Sequence, residues 1–321
     1  MLSLVINIGL FIFGAIILIK AATLLVYAVT IIGRHFHISE FTSSFIVVGV
    51  ITSIPEIAVS VSASIQNVSQ IALGNALGSN LTDRTLIIAI PALISRGINV
   101  RSLIARKDAI VMALYTFIPM FMILDGTITR IDGIILIIFY GLYLYRLTTQ
   151  RSYFTPTHNE VPHHVLVRQI VVLISAAIAL ALASEIIVYA SREIAVILDL
   201  PTIIIGLILV SAGTSLPELA HGLKAVALHH EQQLIGNVVG SVVANATLVI
   251  GIAALIRPII IGNLPELTMT MVILIVVVGI FTLGVYNDHK IGVKEVLVLL
   301  ALYFVFIISG MGLQIVQQAM P

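Results

Sequence analysis

Residues 49–83 read GVITSIPEIAVSVSASIQNVSQIALGNALGSNLTD, and residues 211–245 read SAGTSLPELAHGLKAVALHHEQQLIGNVVGSVVAN. The two stretches lie 162 positions apart, align without a gap and share eleven identical residues. The identities concentrate in two motifs, Thr-Ser-x-Pro-Glu and Gly-Asn-x-x-Gly-Ser. The chain therefore contains an internal repeat, and each motif has to be interpreted in two copies.

The composition indicates an integral membrane protein. Of 321 residues, 60% are hydrophobic and 10% are charged, with no cysteine and no tryptophan. A soluble domain is about half apolar and a quarter charged, so this chain has too few polar residues to cover a globule. The composition excludes a soluble enzyme, a nucleic-acid binder and a disordered scaffold. The absence of cysteine also excludes disulfides and thiolate metal sites.

Ten segments are long and apolar enough to cross a bilayer, which requires about 20 such residues. They cover residues 3–32, 40–65, 70–94, 106–123, 131–147, 165–191, 201–224, 233–256, 267–285 and 293–314. A polar stretch with two prolines, residues 147–164, lies between the fifth and sixth segments. We interpret it as a cytoplasmic linker between a first half, residues 1–146, and a second half, residues 165–321.

The positions of lysine and arginine predict the orientation, because these residues are concentrated on the cytoplasmic side. With the N-terminus outside, eleven of them fall in inner loops and only Arg130, Arg192 and Arg257 fall in outer ones. Both termini then lie on the outer side of a plasma (inner) membrane. Five spans per half is an odd number, so the second half enters from the opposite side. The predicted fold is all-α, with ten transmembrane helices in two inverted-topology five-helix repeats, an architecture of many secondary transporters.

The first motif can supply oxygen atoms inside the membrane. A proline in a helix leaves the carbonyl four residues earlier without its donor, which here affects Ile51 and Gly213. Threonine and serine add hydroxyls, and Glu56 and Glu218 add carboxylates. A single copy could be only a proline kink with a snorkelling glutamate. Two copies in register favour a site for a hard cation such as Ca²⁺, which binds six to eight oxygens.

The second motif opens the third and eighth segments. Glycines four residues apart allow helices to approach closely, so we expect a packing role for all four of them: Gly74, Gly78, Gly236 and Gly240. Ser79 and Ser241 each precede a polar residue by one turn, which places Ser79 with Asp83 and Ser241 with Asn245 on one helix face. The asparagines of the motif, Asn75 and Asn237, could either cross-link helices or bind the ion.

Together the paired motifs resemble the alpha repeats of the cation/calcium antiporter superfamily, and most closely those of prokaryotic sodium/calcium exchangers. The resemblance covers nearly the whole chain and implies that Ca²⁺ lies between Glu56 and Glu218. It also implies sliding of the first and sixth helices to switch access. The remaining site residues that it implies are the hydroxyls of Thr52, Ser53, Thr214 and Ser215, the backbones of Gly49 and Ser211, and the polar groups of Ser79, Asp83, Ser241 and Asn245.

Three positions depart from the family pattern. Exchangers of this type tend to have asparagine in the first repeat and aspartate in the second, whereas this chain has Asp83 and Asn245. Ile51 stands where the first motif usually has glycine. Arg84 follows Asp83, and its repeat partner is Ala246. Neighbouring helical residues point about 100° apart, so Arg84 need not face the site. If it did, it would be a built-in cation that changes the stoichiometry.

The predicted function is antiport of Ca²⁺ against Na⁺ by alternating access, with H⁺ as the alternative counter-ion because buried glutamates can take up a proton. A passive cation channel is a weaker alternative, since channels usually form pores between subunits. No Ser/His, HExxH or paired-aspartate constellation supports an enzyme, and no cofactor is expected. The expected partners are inorganic cations and the lipid bilayer, without nucleic acid or a built-in Ca²⁺-sensing domain. The roles of Lys20, Glu185 and His221 stay open, with His221 one turn after Glu218.

Overall fold

The computed structural model describes residues 2–35, 53–99, 103–149, 163–228, 231–261, 264–287 and 290–319. The first-half helices are α1 Leu2–His35, α2 Ile54–Ile65, α3 Ser69–Arg84, α4 Leu86–Ile94, α5 Leu103–Met122 and α6 Arg130–Thr149. The second-half helices are α7 His163–Ile197, α8 Thr202–Thr214, α9 Leu216–Ala227, α10 Glu231–Ile256, α11 Leu264–Asn287 and α12 Val293–Ala319. Four two-residue strands are β1 Ile98–Asn99, β2 Thr127–Ile128, β3 Ile259–Ile260 and β4 Lys290–Ile291.

Each of the ten predicted segments overlaps a described helix, although the second is described only from residue 53 onwards. Among the described residues, four single helical stretches are long and apolar enough to cross a membrane, and the bent pair α8–α9 would make a fifth. The single stretches are Leu2–Leu25, His164–Ile197, Leu234–Ile256 and Leu267–Tyr286. Most of the predicted linker, residues 150–162, lies outside the described part of the chain.

Helices α1 and α7 form a long pair. They contain 34 and 35 residues, which at 1.5 Å per residue gives about 50 Å, more than the roughly 30 Å hydrocarbon core needs. They pack against each other more extensively than against any other described element. At Gly14 of α1, an added Cβ would lie 3.0 Å from the Ile187 side chain of α7.

The proline of the first motif interrupts its helix in the second half, as predicted. Helix α8 ends at Thr214 and α9 begins at Leu216, bent by 40°. Pro217 lies in the first turn of α9, where its missing N–H costs no intrahelical bond. Pro55 takes the same place in α2. The repeated motif thus places its proline in the first turn of a helix in both halves, and the preceding helix is described only in the second half.

Helices α3 and α8 contact each other backbone to backbone. A Cβ added at Gly74 would lie 2.3 Å from the Ile203 carbonyl oxygen, and one at Gly78 would lie 2.2 Å from that of Leu207. Gly206 of α8 faces Gly74 in return. The packing role predicted for Gly74 and Gly78 is confirmed. The same prediction for Gly236 is wrong, because among the described residues an added Cβ there would meet nothing within 4 Å.

The second motif lies in the middle of its helices and does not open them. Helix α3 begins five residues before Gly74, and α10 begins five residues before Gly236. Helix α3 ends at Arg84 and α4 begins at Leu86, whereas α10 continues through a π-helical turn at Asn245–Val249. A second π-helical turn, Gly206–Val210, lies within α8. π-helical turns of this kind are rare and occur frequently at functional sites.

Two antiparallel strand pairs join the halves. Ile98 pairs with Ile291, and Ile128 pairs with Ile259. Around the second pair, the Gln70 amide donates to the Ile260 carbonyl at 3.0 Å. Every strand of the first half is therefore hydrogen-bonded to a strand of the second half.

Candidate cation site

Three carboxylates are buried where the two halves meet. Glu56 of α2, Asp83 of α3 and Glu218 of α9 are each 1% exposed. Electrostatic repulsion links Glu218 to both other carboxylates. None of their six carboxylate oxygens has a hydrogen-bond partner among the described residues. Because a buried charge without a partner is costly, these carboxylates need bound cations or protons to offset their charge.

Hydroxyl groups from both halves surround these carboxylates. The Ser53 and Ser241 hydroxyl oxygens are 3.5 Å apart, and those of Ser79 and Thr214 are also 3.5 Å apart. The Asp83 carboxylate lies beside the hydroxyls of Ser215 and Ser241. Each pair combines one residue of the first half with one of the second, so neither half contains the cluster alone. We call Glu56, Asp83, Glu218 and these five hydroxyl residues the polar cluster.

Asn75 cross-links the helices around the polar cluster. The Thr214 hydroxyl donates to Asn75 Oδ1 at 3.0 Å. Asn75 Nδ2 lies 3.4 Å from the Glu56 carbonyl and from the Ser60 hydroxyl. Of the two roles that the sequence allowed for Asn75, cross-linking is therefore the one that this conformation displays.

Asn245 lies at the first position of the π-helical turn in α10 and is fully buried. Both polar atoms of its amide lack partners among the described residues, as do those of Asn237. Buried amides without partners are rare in proteins, so these two groups add further oxygens and donors to the interior. Their part in ion binding stays a prediction.

The Ser211 carbonyl has two donors in this conformation. It accepts from the Ser215 N–H at 3.0 Å and from the Thr214 hydroxyl at 3.3 Å. The Ser211 hydroxyl donates to the Leu207 carbonyl. Gly49 and Thr52, the corresponding positions of the first half, lie outside the described residues. The predicted backbone contribution from both halves stays a prediction.

Sequence reasoning missed Asn80, which is fully buried and whose amide atoms have no partners among the described residues. Its repeat partner is Val242, and this polar-to-apolar difference was the only signal available. The open candidates lie elsewhere: Lys20, Glu185 and His221 are exposed and do not belong to the polar cluster. One turn of helix thus separates a buried Glu218 from an exposed His221.

Among the described residues, no three His, Asp or Glu side chains are grouped closely enough to hold a metal ion by themselves. A divalent cation bound here would need hydroxyl, amide or carbonyl oxygens in addition to carboxylates. Such a mixed oxygen set suits Ca²⁺ and lacks the nitrogen and sulfur ligands that favour Zn²⁺ or Cu²⁺.

Arg84 makes its hydrogen bonds with residues outside the polar cluster. Its guanidinium donates to the Asn80 carbonyl at 2.9 Å and to the Thr116 hydroxyl of α5. It interacts electrostatically with Asp83, but neither carboxylate oxygen of Asp83 accepts a hydrogen bond from it. Arg84 therefore does not fill the space between the carboxylates.

Comparisons with known proteins agree with this arrangement. The sequence model of the sodium/calcium exchanger protein family matches residues 6–149 and 168–310, once in each half. The chain is 30% identical over 307 residues to an uncharacterised membrane protein of Methanocaldococcus jannaschii, covering 95% of this chain and 98% of that protein. It is 24% identical over 345 residues to the sodium/calcium exchanger MaX1 of Methanosarcina acetivorans, covering 94% and 98%.

Solved structures of the sodium–calcium exchanger NCX_Mj are also similar to this chain. The structure soaked with 10 mM Na⁺ and 10 mM Sr²⁺ has 29% identity and a TM-score of 0.66, covering 94% of this chain and 97% of that one. The structure soaked without Na⁺ and Ca²⁺ has 30% identity and a TM-score of 0.64, covering 95% and 99%. The likeness extends over nearly the full length of both chains.

Proposed function

The chain belongs to the sodium/calcium exchanger protein family, and from that membership we propose that it exchanges Ca²⁺ for Na⁺ across its membrane by alternating access. Proteins of this family are multi-pass membrane transporters of the cation/calcium antiporter superfamily, which confirms the prediction that the chain is not an enzyme. The counter-ion and the ligand set are the parts that we propose.

The observation that carries the proposal is the polar cluster, in which carboxylates without partners are buried among hydroxyls of both halves. We propose that Ca²⁺ binds between Glu56 and Glu218. Na⁺ would compete for the same oxygens, so that the two ions exclude each other. The full proposed ligand set is Glu56, Glu218, Thr52, Ser53, Thr214, Ser215, Ser79, Asp83, Ser241 and Asn245, with the backbones of Gly49 and Ser211.

The strand pairs support the inverted-repeat arrangement. Strands β1 and β4 both belong to loops predicted inside, and β2 and β3 both belong to loops predicted outside. Shifting the first-half strands by the repeat offset of 162 superimposes β1 on β3 and β2 on β4 within one residue. We propose ten spans in two inverted repeats, with both termini outside. If an odd number of spans had been overlooked between two paired loops, these loops would lie on opposite sides of the membrane and their strands could not pair.

Helices α1 and α7 are the proposed moving part. They contact each other more than they contact any other described element. Helix α1 also lies against the first motif of the second half, because an added Cβ at Gly213 would lie 3.3 Å from the Phe11 ring. A movement of α1 along this contact would uncover or cover the polar cluster. The ion-loaded cluster would allow that movement, because bound cations offset most of its negative charge, whereas the empty cluster would resist it.

The test is Ca²⁺ uptake into proteoliposomes that contain the purified protein. One set carries an outward Na⁺ gradient and a second carries an outward H⁺ gradient, each with and without a protonophore. We expect saturable uptake that Na⁺ drives and the protonophore leaves unchanged. Uptake driven only by H⁺ would replace Na⁺ as the counter-ion. Uptake that neither saturates nor depends on a counter-ion would identify a channel and overturn the proposal. The Glu218→Gln variant and protein-free liposomes are the controls.

A further inference from the structure

Arg84 is a charged residue in the interior that the proposed exchange does not use. It is 0% exposed and is among the largest of the fully buried side chains. Two of its donors are satisfied by the Asn80 carbonyl and the Thr116 hydroxyl. The Thr116 hydroxyl in turn donates to the Met112 carbonyl at 2.8 Å. These contacts link the guanidinium to both α3 and α5, through residues that do not belong to the polar cluster.

With these hydrogen bonds, Arg84 contributes positive charge near Asp83 without occupying the space between the carboxylates. Its interaction with Asp83 is attractive, yet none of the hydrogen-bond partners that the structure gives it is an acidic side chain. The second half offers no equivalent, because Ala246 takes the place of Arg84 and Asn245 takes that of Asp83. The first half therefore carries one additional negative charge, Asp83, and one additional positive charge, Arg84, at positions that are neutral in the second half.

The buried charges of the described residues can be counted. They comprise the carboxylates of Glu56, Asp83 and Glu218 and the guanidinium of Arg84. With all four ionised, the net charge is −2. One Ca²⁺ or two Na⁺ would neutralise it. Without Arg84 the net charge would be −3, which one Ca²⁺ leaves unbalanced and three Na⁺ would balance.

We infer that Arg84 acts as a resident cation that fixes the exchange at two Na⁺ per Ca²⁺ and makes it electroneutral. The inference rests on the proposed exchange of Ca²⁺ for Na⁺ and specifies its stoichiometry. Burying net charge in a bilayer is costly, so the conformational change should proceed most readily when bound ions leave the interior with the least net charge. Arg84 is a positioning residue in this scheme, since it acts on the ions through the field at Asp83.

The wild-type protein tests the stoichiometry directly. Proteoliposomes are clamped with K⁺ and valinomycin, and Na⁺ and Ca²⁺ fluxes are measured together with radioactive tracers. We expect two Na⁺ per Ca²⁺ and the same final Ca²⁺ accumulation at 0 and 100 mV. Movement of one net charge per cycle would change that accumulation about fifty-fold at 100 mV. A ratio of three with this dependence on potential would overturn the inference. Absence of any Na⁺-driven uptake would instead refute the proposed function.

Variants test whether Arg84 is responsible. Arg84→Ala leaves a net charge of −3, and we expect a third Na⁺ and exchange that depends on the membrane potential. Asp83→Asn/Arg84→Ala restores −2 and copies the second half, so its exchange should be electroneutral again. Arg84→Lys keeps the charge, and Thr116→Val removes a hydrogen bond without changing charge, so both should stay electroneutral. If Arg84→Ala exchanges two Na⁺ per Ca²⁺, Arg84 does not set the ratio. Should that variant fail to fold, Arg84→Gln, which removes the charge but keeps a hydrogen-bond donor, takes its place with the same expected result.

Discussion

The backbone contact between α3 and α8 predicts a large effect of a single methyl group. In Gly78→Ala, the new Cβ would lie 2.2 Å from the Leu207 carbonyl oxygen and 2.6 Å from the Ser211 hydroxyl oxygen. Carbon and oxygen approach to about 3.3 Å even in close Cα–H···O contacts. The two helices must therefore separate locally by about 1 Å, because the carbonyl is backbone and cannot rotate away as a side chain does.

The energetic cost follows from this displacement. Overpacking a tight interior typically costs about 1–3 kcal/mol, and a backbone clash belongs at the upper end of that range. Replacing glycine by alanine within a helix returns about 0.5–1 kcal/mol. We expect a net loss of about 2 kcal/mol in the free energy of unfolding. The displacement also widens the neighbouring 3.5 Å contact between Ser79 and Thr214, so Ca²⁺ affinity should fall about tenfold, equivalent to about 1.4 kcal/mol.

Thermal unfolding in detergent, followed by circular dichroism at 222 nm, measures the stability, since the chain has no tryptophan for fluorescence. The Ca²⁺ dependence of uptake measures the affinity. Gly141→Ala is the matched control, because an added Cβ there meets nothing within 4 Å and the residue lies within α6. We expect this control to be as stable as the wild type or slightly more so. If Gly78→Ala matches the control in both stability and affinity, the backbone contact does not support the site.

Four further outcomes are expected. Glu56→Gln and Glu218→Gln should each abolish Ca²⁺ uptake while the protein elutes normally from a sizing column, and near-normal flux in either would remove that residue from the site. Asp83→Asn combined with Asn245→Asp should retain substantial uptake, because the net buried charge is unchanged; a folded but inactive double variant would mean that the surroundings of Asp83 are specialised. Thr214→Val removes a hydroxyl and the bond to Asn75, so half-maximal uptake should require about tenfold more Ca²⁺, and an unchanged value would contradict a ligand role. Ca²⁺ at about 100 times its dissociation constant should stabilise the wild type by about 2.7 kcal/mol, which a thermal melt with and without Ca²⁺ would detect and which should vanish in Glu218→Gln.

The helical framework and the burial of the two motif glutamates could be predicted from the sequence because their signals are local. Segment edges fell within a few residues of the helices, since apolar runs end where charged or turn-forming residues begin. The break at Pro217 followed from the missing N–H of proline. Burial of Glu56 and Glu218 followed from their position inside apolar segments.

Features that depend on contacts between distant residues could not be predicted. The sequence left two directions open for Arg84, and its hydrogen bond to Thr116 joins residues of α3 and α5 that are 32 positions apart in the sequence. Gly74 and Gly236 occupy equivalent positions in the repeat, yet only Gly74 meets a backbone among the described residues. Two-residue strands such as β1 contain too few residues to form a local pattern, so their pairing with the other half has no sequence signal.

The strand pairs also determine how long the first half exists without its pairing partner during synthesis. Strand β1 ends at Asn99, but its partner β4 begins at Lys290, 191 residues later on the ribosome. At 5–20 residues per second, the first half waits about 10–40 s in the membrane. Ser215 and Ser241 follow Asn99 by 116 and 142 residues, so Asp83 lacks at least one of these hydroxyls for most of that wait. The nascent first half therefore holds an incompletely surrounded carboxylate until the second half has been inserted.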